Sequence, residues 1–238
     1  MRSDGDLTLI LHLYYPGSWE TVRSKCSFVL GQATRTIITA CHDDVIQEIQ
    51  PQPNMVILKV TNKGKDVGGK LAALSYYLCY CKRTEYLVFL HDKISPQTIN
   101  ADYWMDTLYR IFEQEVFERA IRTLKKYKSA GIVGSRPFLK TEYLPSERRF
   151  DSTNDNVLKQ LIDRHGLRCK EFRFIAGTIF IAKSRIYEDF FTLHPPLDAR
   201  RDLEEENVLD LTLGTYTHSW ERLFCFIAED SGYTVTGI

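Results

Sequence analysis

The sequence predicts an α/β fold on a mostly parallel sheet, and three observations lead there. Short apolar, β-branched runs at residues 7–14, 36–40, 55–61 and 86–90 alternate with helix-length segments at βαβ spacing. Two polar loops, Asn62-Lys63-Gly64-Lys65-Asp66-Val67-Gly68-Gly69-Lys70 and His91-Asp92-Lys93, follow two of those runs and so belong to one sheet edge, where α/β proteins bind ligands. The 238 residues, 44% of them hydrophobic, suffice to bury a core without metal or disulfide staples.

Each element follows from local pattern. Residues 7–14 read as the first strand, and 18–29 as a helix entered through Pro16-Gly17-Ser18, with Ser18 at the N-cap. A second strand spans 36–40, a polar helix 43–49, a third strand 55–61 and a helix 71–80. After the strand at 86–90, residues 100–128 carry the longest helical pattern, with apolar side chains at three- and four-residue steps from Trp104 to Leu124. Lys125, Lys126 and Lys128 suit its negative end, and its length can hide a break. A brief strand at 131–134 precedes a polar, turn-rich stretch at 135–156, expected to be a mobile substrate loop. Then come a helix at 156–165, a buried strand within 171–182, a charged, solvated segment at 198–210, a helix at 218–230 and a terminal strand at 233–238.

Composition limits the function. The 31 basic residues balance 31 acidic ones, so no global field recruits nucleic acid. The six cysteines are scattered without paired C-x2-C spacing, which predicts reduced, mostly buried thiols and a cytoplasmic setting. The apolar stretch at 7–15 is interrupted by His12 and falls short of the ~20 residues that span a bilayer, leaving peripheral membrane contact as the expected limit.

Three clusters carry candidate chemistry. In the first loop, glycines such as Gly64 and Gly69 let a ligand approach the backbone, and Lys63 and Lys65 with the following helix start favour a phosphate. The segment also fits G-x-x-x-x-G-K, but Leu71 stands where a P-loop needs Ser or Thr for Mg²⁺. An ordinary strand-to-helix turn is the plain alternative. Second, Asp92 at a strand end can hold Mg²⁺ or Mn²⁺ bridging two phosphates, while Lys93 can offset the same charge without metal. Third, His218, Glu221 and Arg222 share a helix face, where the carboxylate either takes a proton from an attacking hydroxyl or forms a surface ion pair. The Ala176-Gly177-Thr178 break in an apolar run leaves room for a ligand at the backbone.

The order of these motifs resembles the rhamnan synthesis protein F family of glycosyltransferases, related to inverting nucleotide-sugar enzymes of the GT-A type. The resemblance rests on residues 9–19, Asn62 to Gly68, Tyr86-Leu87-Val88-Phe89-Leu90-His91-Asp92-Lys93, Trp104, Gly131-Ile132-Val133-Gly134, Phe174-Ile175-Ala176-Gly177-Thr178-Ile179-Phe180 and His218-Ser219-Trp220-Glu221-Arg222-Leu223-Phe224. It implies one glycosyltransferase-like domain over 1–238, with a Rossmann-type nucleotide-sugar-binding half at 1–95 and a mixed-sheet acceptor half at 96–238. It implies transfer of a sugar, with rhamnose the expected one, from a nucleoside diphosphate to a glycan acceptor.

The GT-A Asp-x-Asp metal motif falls on His91 and Lys93 here, with Asp92 between them. The resemblance therefore leaves either Asp92 with His91 as metal ligands or a metal-free site using Lys93. It makes Glu221 the base by position, gives Asp66 the donor nucleoside or sugar, and gives Asp92 and Lys93 the diphosphate. Asn62, Lys63, Gly64, Lys65, Gly69 and Gly177 complete the expected donor site. A non-catalytic nucleotide-sugar or carbohydrate-binding module and a P-loop phosphotransferase are the rival classes.

Overall fold

A computed structural model describes residues 6–93, 101–209 and 213–238, with the backbone alone at 101–104. Ile94 at the second loop, Asn100 at the expected helix start, the Trp104 side chain and Asp210 therefore lie outside the described residues.

The chain is an α/β protein with a mostly parallel central sheet. β1 (Leu7–Leu13), α1 (Ser18–Lys25), α2 (Ser27–Gln32), β2 (Arg35–Ala40), α3 (Asp43–Glu48), β3 (Met55–Lys59), α4 (Lys65–Tyr80) and β4 (Tyr86–His91) make its first part. α5 (Ala101–Tyr109), α6 (Gln114–Lys126), β5 (Ala130–Gly134), β6 (Leu139–Thr141), β7 (Tyr143–Leu144), β8 (Arg149–Phe150), α7 (Asp155–His165), β9 (Arg173–Ile175) and β10 (Phe180–Lys183) follow. α8 (Ser184–Leu193), α9 (Pro196–Arg201), α10 (Tyr216–Asp230) and β11 (Thr234–Gly237) close the sequence of elements.

The seven-stranded sheet has the order β11-β5-β10-β4-β1-β2-β3. β3, β2, β1 and β4 are mutually parallel, while β10 runs antiparallel between β4 and β5, and β11 is parallel to β5. All seven residues of β1 and all six of β4 are buried, so helices must cover both faces of the sheet's centre. α4 packs on β1 and β2 from the layer that also holds α10, and α2 and α6 pack together in the other layer. Strand order reverses at β1: β2 and β3 step outward on one side, and β4 returns on the other. The crevice beyond the carboxyl ends of β1 and β4 is the switch point where such sheets take ligands.

The break that the length of the 100–128 pattern could hide lies at Arg110–Phe112, a 3-10 turn before α6. Several expectations are corrected. The strand expected within 171–182 is two strands in different sheets, because Gly177 (φ 83°) and Thr178 (φ 48°) turn the chain between them. The stretch at 135–156 is not an aperiodic loop. It forms β6 against β9 and the β7–β8 hairpin, packed through rings of Tyr143, Phe150, Phe172 and Phe226. Strands of two or three residues are too short to show a period. At α1, Gly17 (φ 78°) takes the cap position instead of Ser18, and the Glu48 carboxylate accepts its N–H at 2.8 Å. All six cysteines are free, but only Cys26 and Cys225 are buried. Among the described residues, no helix is long and apolar enough to cross a membrane.

Candidate active site

The site starts at α4, which begins six residues earlier than the sequence suggested. Gly64 (φ 73°) and Lys65 (φ 51°) take left-handed backbone and turn the chain sharply from the β3 loop into the helix. For a lysine that conformation costs about 1–2 kcal/mol. Thr178 bears the same strain across the cleft. Two non-glycine residues held in such geometry beside one cavity are characteristic of a built site.

Because the helix starts at Lys65, Asp66 and Lys70 sit one turn apart and face the end of β4. The Lys70 ammonium is fully buried and donates to Asp66 Oδ2 at 2.7 Å, His91 Nδ1 at 2.9 Å and the Thr178 carbonyl at 3.0 Å. Thr178 Oγ1 donates to the same Asp66 oxygen at 2.7 Å. Burial alone would raise the Asp66 pKa, but neighbouring His91, the charge and hydrogen bond of Lys70 and the Thr178 hydroxyl outweigh it and hold the carboxyl well below its ordinary range. Burial lowers the pKa of His91, and neighbouring Lys70 and Lys93 add to that. A neutral His91 with its proton on Nε2 is the form that accepts from Lys70. Asp66 Oδ1 has no protein partner among the described residues and remains accessible.

A cavity of about 100 Å³ opens over this network at the carboxyl edge of the sheet. Lys65, Asp66 and Val67 of α4 line it, with His91 and Lys93 after β4, Gly177 and Thr178, and Thr217, His218 and Glu221 of α10. The Thr215 side chain caps α10 at His218 N and bonds His218 Nδ1 at 2.6 Å. Glu221 Oε1 accepts the Gly177 N–H, and Oε2 lies 3.6 Å from Arg222 Nη1. Arg222 in turn makes a two-pronged pair with Glu142, at 2.8 Å for each bond, which fixes Glu221 through the chain from β6–β7.

The residues expected from sequence divide into two groups. Lys65, Asp66, His91, Lys93, Gly177 and Glu221 converge on the cavity. Asn62, Lys63 and Gly64 instead tie the β3 loop to residues 204–207: Asn62 bonds Asn207, Lys63 pairs with Glu205 at 2.8 Å, and Gly64 N–H donates to Glu204 O. That segment was expected to be solvated, yet Leu203 is buried, Arg200 donates to Thr61 O and Gly68 O, and Glu204 accepts the N–H groups of Tyr216 and Thr217. Gly69 is not a loop glycine either. It lies within α4 where a Cβ would stand 2.1 Å from His12 Nδ1.

Asp92 and His91 do not form the expected ligand pair. Adjacent residues in extended chain face opposite ways. His91 turns to Lys70, while Asp92 Oδ2 accepts the N–H groups of Tyr14 and Tyr15 at 2.8 and 2.7 Å, joining the β1 and β4 loops. Burial raises the Asp92 pKa, opposed by those N–H bonds. Among the described residues, no group of three His, Cys, Asp or Glu side chains is placed to hold a metal ion. The placement thus does not join His91 and Asp92 around one ion.

Sequence reasoning missed Thr217, named Thr178 only as part of the Ala176-Gly177-Thr178 break, and named Lys70 only within the first loop and its P-loop-like pattern. The i, i+4 spacing of Asp66 and Lys70 was the available signal.

No protein-family model matches the chain, and no curated protein matches it. Among solved structures, the bifunctional IspDF from Campylobacter jejuni is similar over 97% of this chain and 49% of that one, with 10% identity and a TM-score of 0.37. The chain thus spans about half the length of that protein.

Proposed function

We propose that the protein is a glycosyltransferase of the GT-A type, similar to the rhamnan synthesis protein F family, which moves a sugar from a nucleoside-diphosphate donor to a glycan acceptor with inversion. One observation carries this reading. Three clusters distant in sequence, Lys65-Asp66, His91 with Lys93, and His218 with Glu221, meet at the carboxyl edge beside the switch point. The parallel strands from residues 7–91 beside a mixed portion from 130–237 also suit a GT-A arrangement.

The cavity holds a phosphate-sized group, not a whole donor. In this reading Lys65 and Lys93 take the diphosphate as point charges. Asp66 Oδ1 accepts a donor hydroxyl, its other oxygen being held by Lys70 and Thr178. The nucleoside lies over the β1 end, where Tyr14, Tyr15 and His42 cluster with ring centroids 5.0 and 4.8 Å from Tyr14. Glu221, fixed by Gly177 N–H and Arg222, takes the proton of the acceptor hydroxyl as it attacks C1 opposite the diphosphate. No step runs through a metal.

The test is transfer, and donor hydrolysis, by Glu221→Gln in protein with unchanged melting temperature. The reading expects a loss of about 10²–10⁴-fold, and near-normal turnover overturns the base. The inexact metal motif favours a second reading, a nucleotide-sugar-binding module without catalysis. Saturable donor binding by the unaltered protein with neither transfer nor hydrolysis would select it.

A further inference from the structure

Sixteen arginines lie in the described residues, and twelve of them are engaged. Arg23, Arg122, Arg149, Arg164, Arg168, Arg173, Arg185, Arg201 and Arg222 stand in ion pairs. Arg35, Arg83 and Arg200 donate to backbone carbonyls. Four side chains remain without a partner among the described residues: Arg110, Arg119, Arg136 and Arg148. Three of these four, Arg110, Arg119 and Arg136, line one cavity of about 320 Å³.

That cavity is formed where the 3-10 turn after α5, the outer side of α6 and the ends of β5 and β11 meet. Its base is fixed: Ile111 is fully buried, and buried Ser135 donates through Oγ to the Thr107 carbonyl at 3.2 Å. Val116 and Pro137 add apolar wall. No carboxylate side chain lines it. Like charges gathered around a concavity repel one another, and a chain of zero net charge has acidic residues enough to neutralise them elsewhere. Ile238 also lines it, and its main-chain oxygen accepts the Arg136 N–H at 3.0 Å, so three guanidinium forks face at most one main-chain carboxylate and an incoming anion still meets an excess of positive charge.

We infer that the Arg110–Arg119–Arg136 cavity is an oxyanion subsite, taking a phosphate or carboxylate substituent on a molecule of saccharide size. A guanidinium fork matches either group with two parallel N–H bonds. The volume lies at the lower end of the ~300–1,000 Å³ usual for small-molecule sites, so it takes one charged sugar and not a polymer. β5 is parallel to β4 and two strands from it, so the cavity opens on the same sheet edge as the candidate active site. At ~4.8 Å per strand that is roughly 10 Å along the edge, within reach of one acceptor molecule. Its assignment to the acceptor rests on the transferase reading, whereas the anion site itself does not.

Isothermal titration tests it with inorganic phosphate, pyrophosphate and glucuronate at fixed low ionic strength. Three proteins are compared: the unaltered chain, Lys65→Gln/Lys93→Gln, which removes the donor cleft's cations, and Arg110→Gln/Arg119→Gln/Arg136→Gln. The expected result is saturable binding of at least one anion by the first two and at least a tenfold loss in the arginine variant. The preferred anion tells phosphate from carboxylate. Unchanged affinity in the arginine variant, or no saturable binding by Lys65→Gln/Lys93→Gln, overturns the site. Nucleotide-sugar binding by the same three proteins reports on the donor cleft separately, so either reading can fail without the other.

Discussion

Lys70 is a fully buried lysine, held by one carboxylate, one imidazole and one threonine. Removing it strands Asp66 in a site where burial already disfavours the charge. Lys70→Met is therefore expected to cost about 3–5 kcal/mol in urea unfolding, and a change below ~1 kcal/mol would show that the pair is not closed as described. His12 makes a second prediction. It is fully buried beneath α4, with Nδ1 3.0 Å from Thr39 Oγ1 and Nε2 unpartnered, and burial lowers its pKa from 6.5 to about 4. The unfolded chain thus binds a proton between those two values that the fold refuses. Stability is full above pH 6.5 and falls as pH drops toward 4, by roughly 3 kcal/mol from this one group at ~1.36 kcal/mol per unit. His91 is shifted the same way and adds to the fall. Unfolding free energies measured from pH 7.5 to 4.5 should show that decline, and a flat profile would contradict the buried neutral imidazoles.

At the scale of elements, α4 decides whether the β3 loop becomes a site. Its left-handed entry at Gly64 and Lys65 brings Asp66 into the first turn, and Gly69 allows the helix to approach β1 at His12. Alanine is the better helix former by ~1 kcal/mol, yet its Cβ here meets a ring pinned against Thr39. Gly69→Ala should destabilise by about 1–3 kcal/mol, and a rise in melting temperature would refute the close approach. This helix also shows what was legible. The strands at 7–14, 36–40 and 86–90 were plain because buried parallel strands are continuous apolar runs, and the half-buried edge strand at 55–61 showed through its own apolar run. The helix start was hidden, since glycines and lysines read as loop until Lys70 is seen to be buried by Asp66, His91 and Thr178. The segment 198–210 misled for a related reason: Arg200 and Glu204 bond backbone groups of distant residues, so a charge-rich composition concealed a packed strap. Asp92 was correctly placed at a strand end, but nothing local tells which side its carboxylate faces.

Over the whole molecule, the sheet order sets the function proposed. Reversal at β1 opens the crevice, and antiparallel β10 carries the chain back from the Gly177–Thr178 turn at the same edge. α10 then adds Glu221 from one layer of helices. The candidate site residues were legible as three separate motifs, while their convergence depended on this path and no single motif contained it. The most direct measurement of the central claim is calorimetric titration of UDP-, dTDP- and GDP-sugars, with and without Mn²⁺, into the unaltered protein and into Lys65→Gln/Lys93→Gln. Saturable binding of one diphosphate sugar by the unaltered protein, weakened at least tenfold in the variant, is the predicted result. Binding that survives the loss of both lysines, or none with any donor, would contradict a diphosphate seat at this edge.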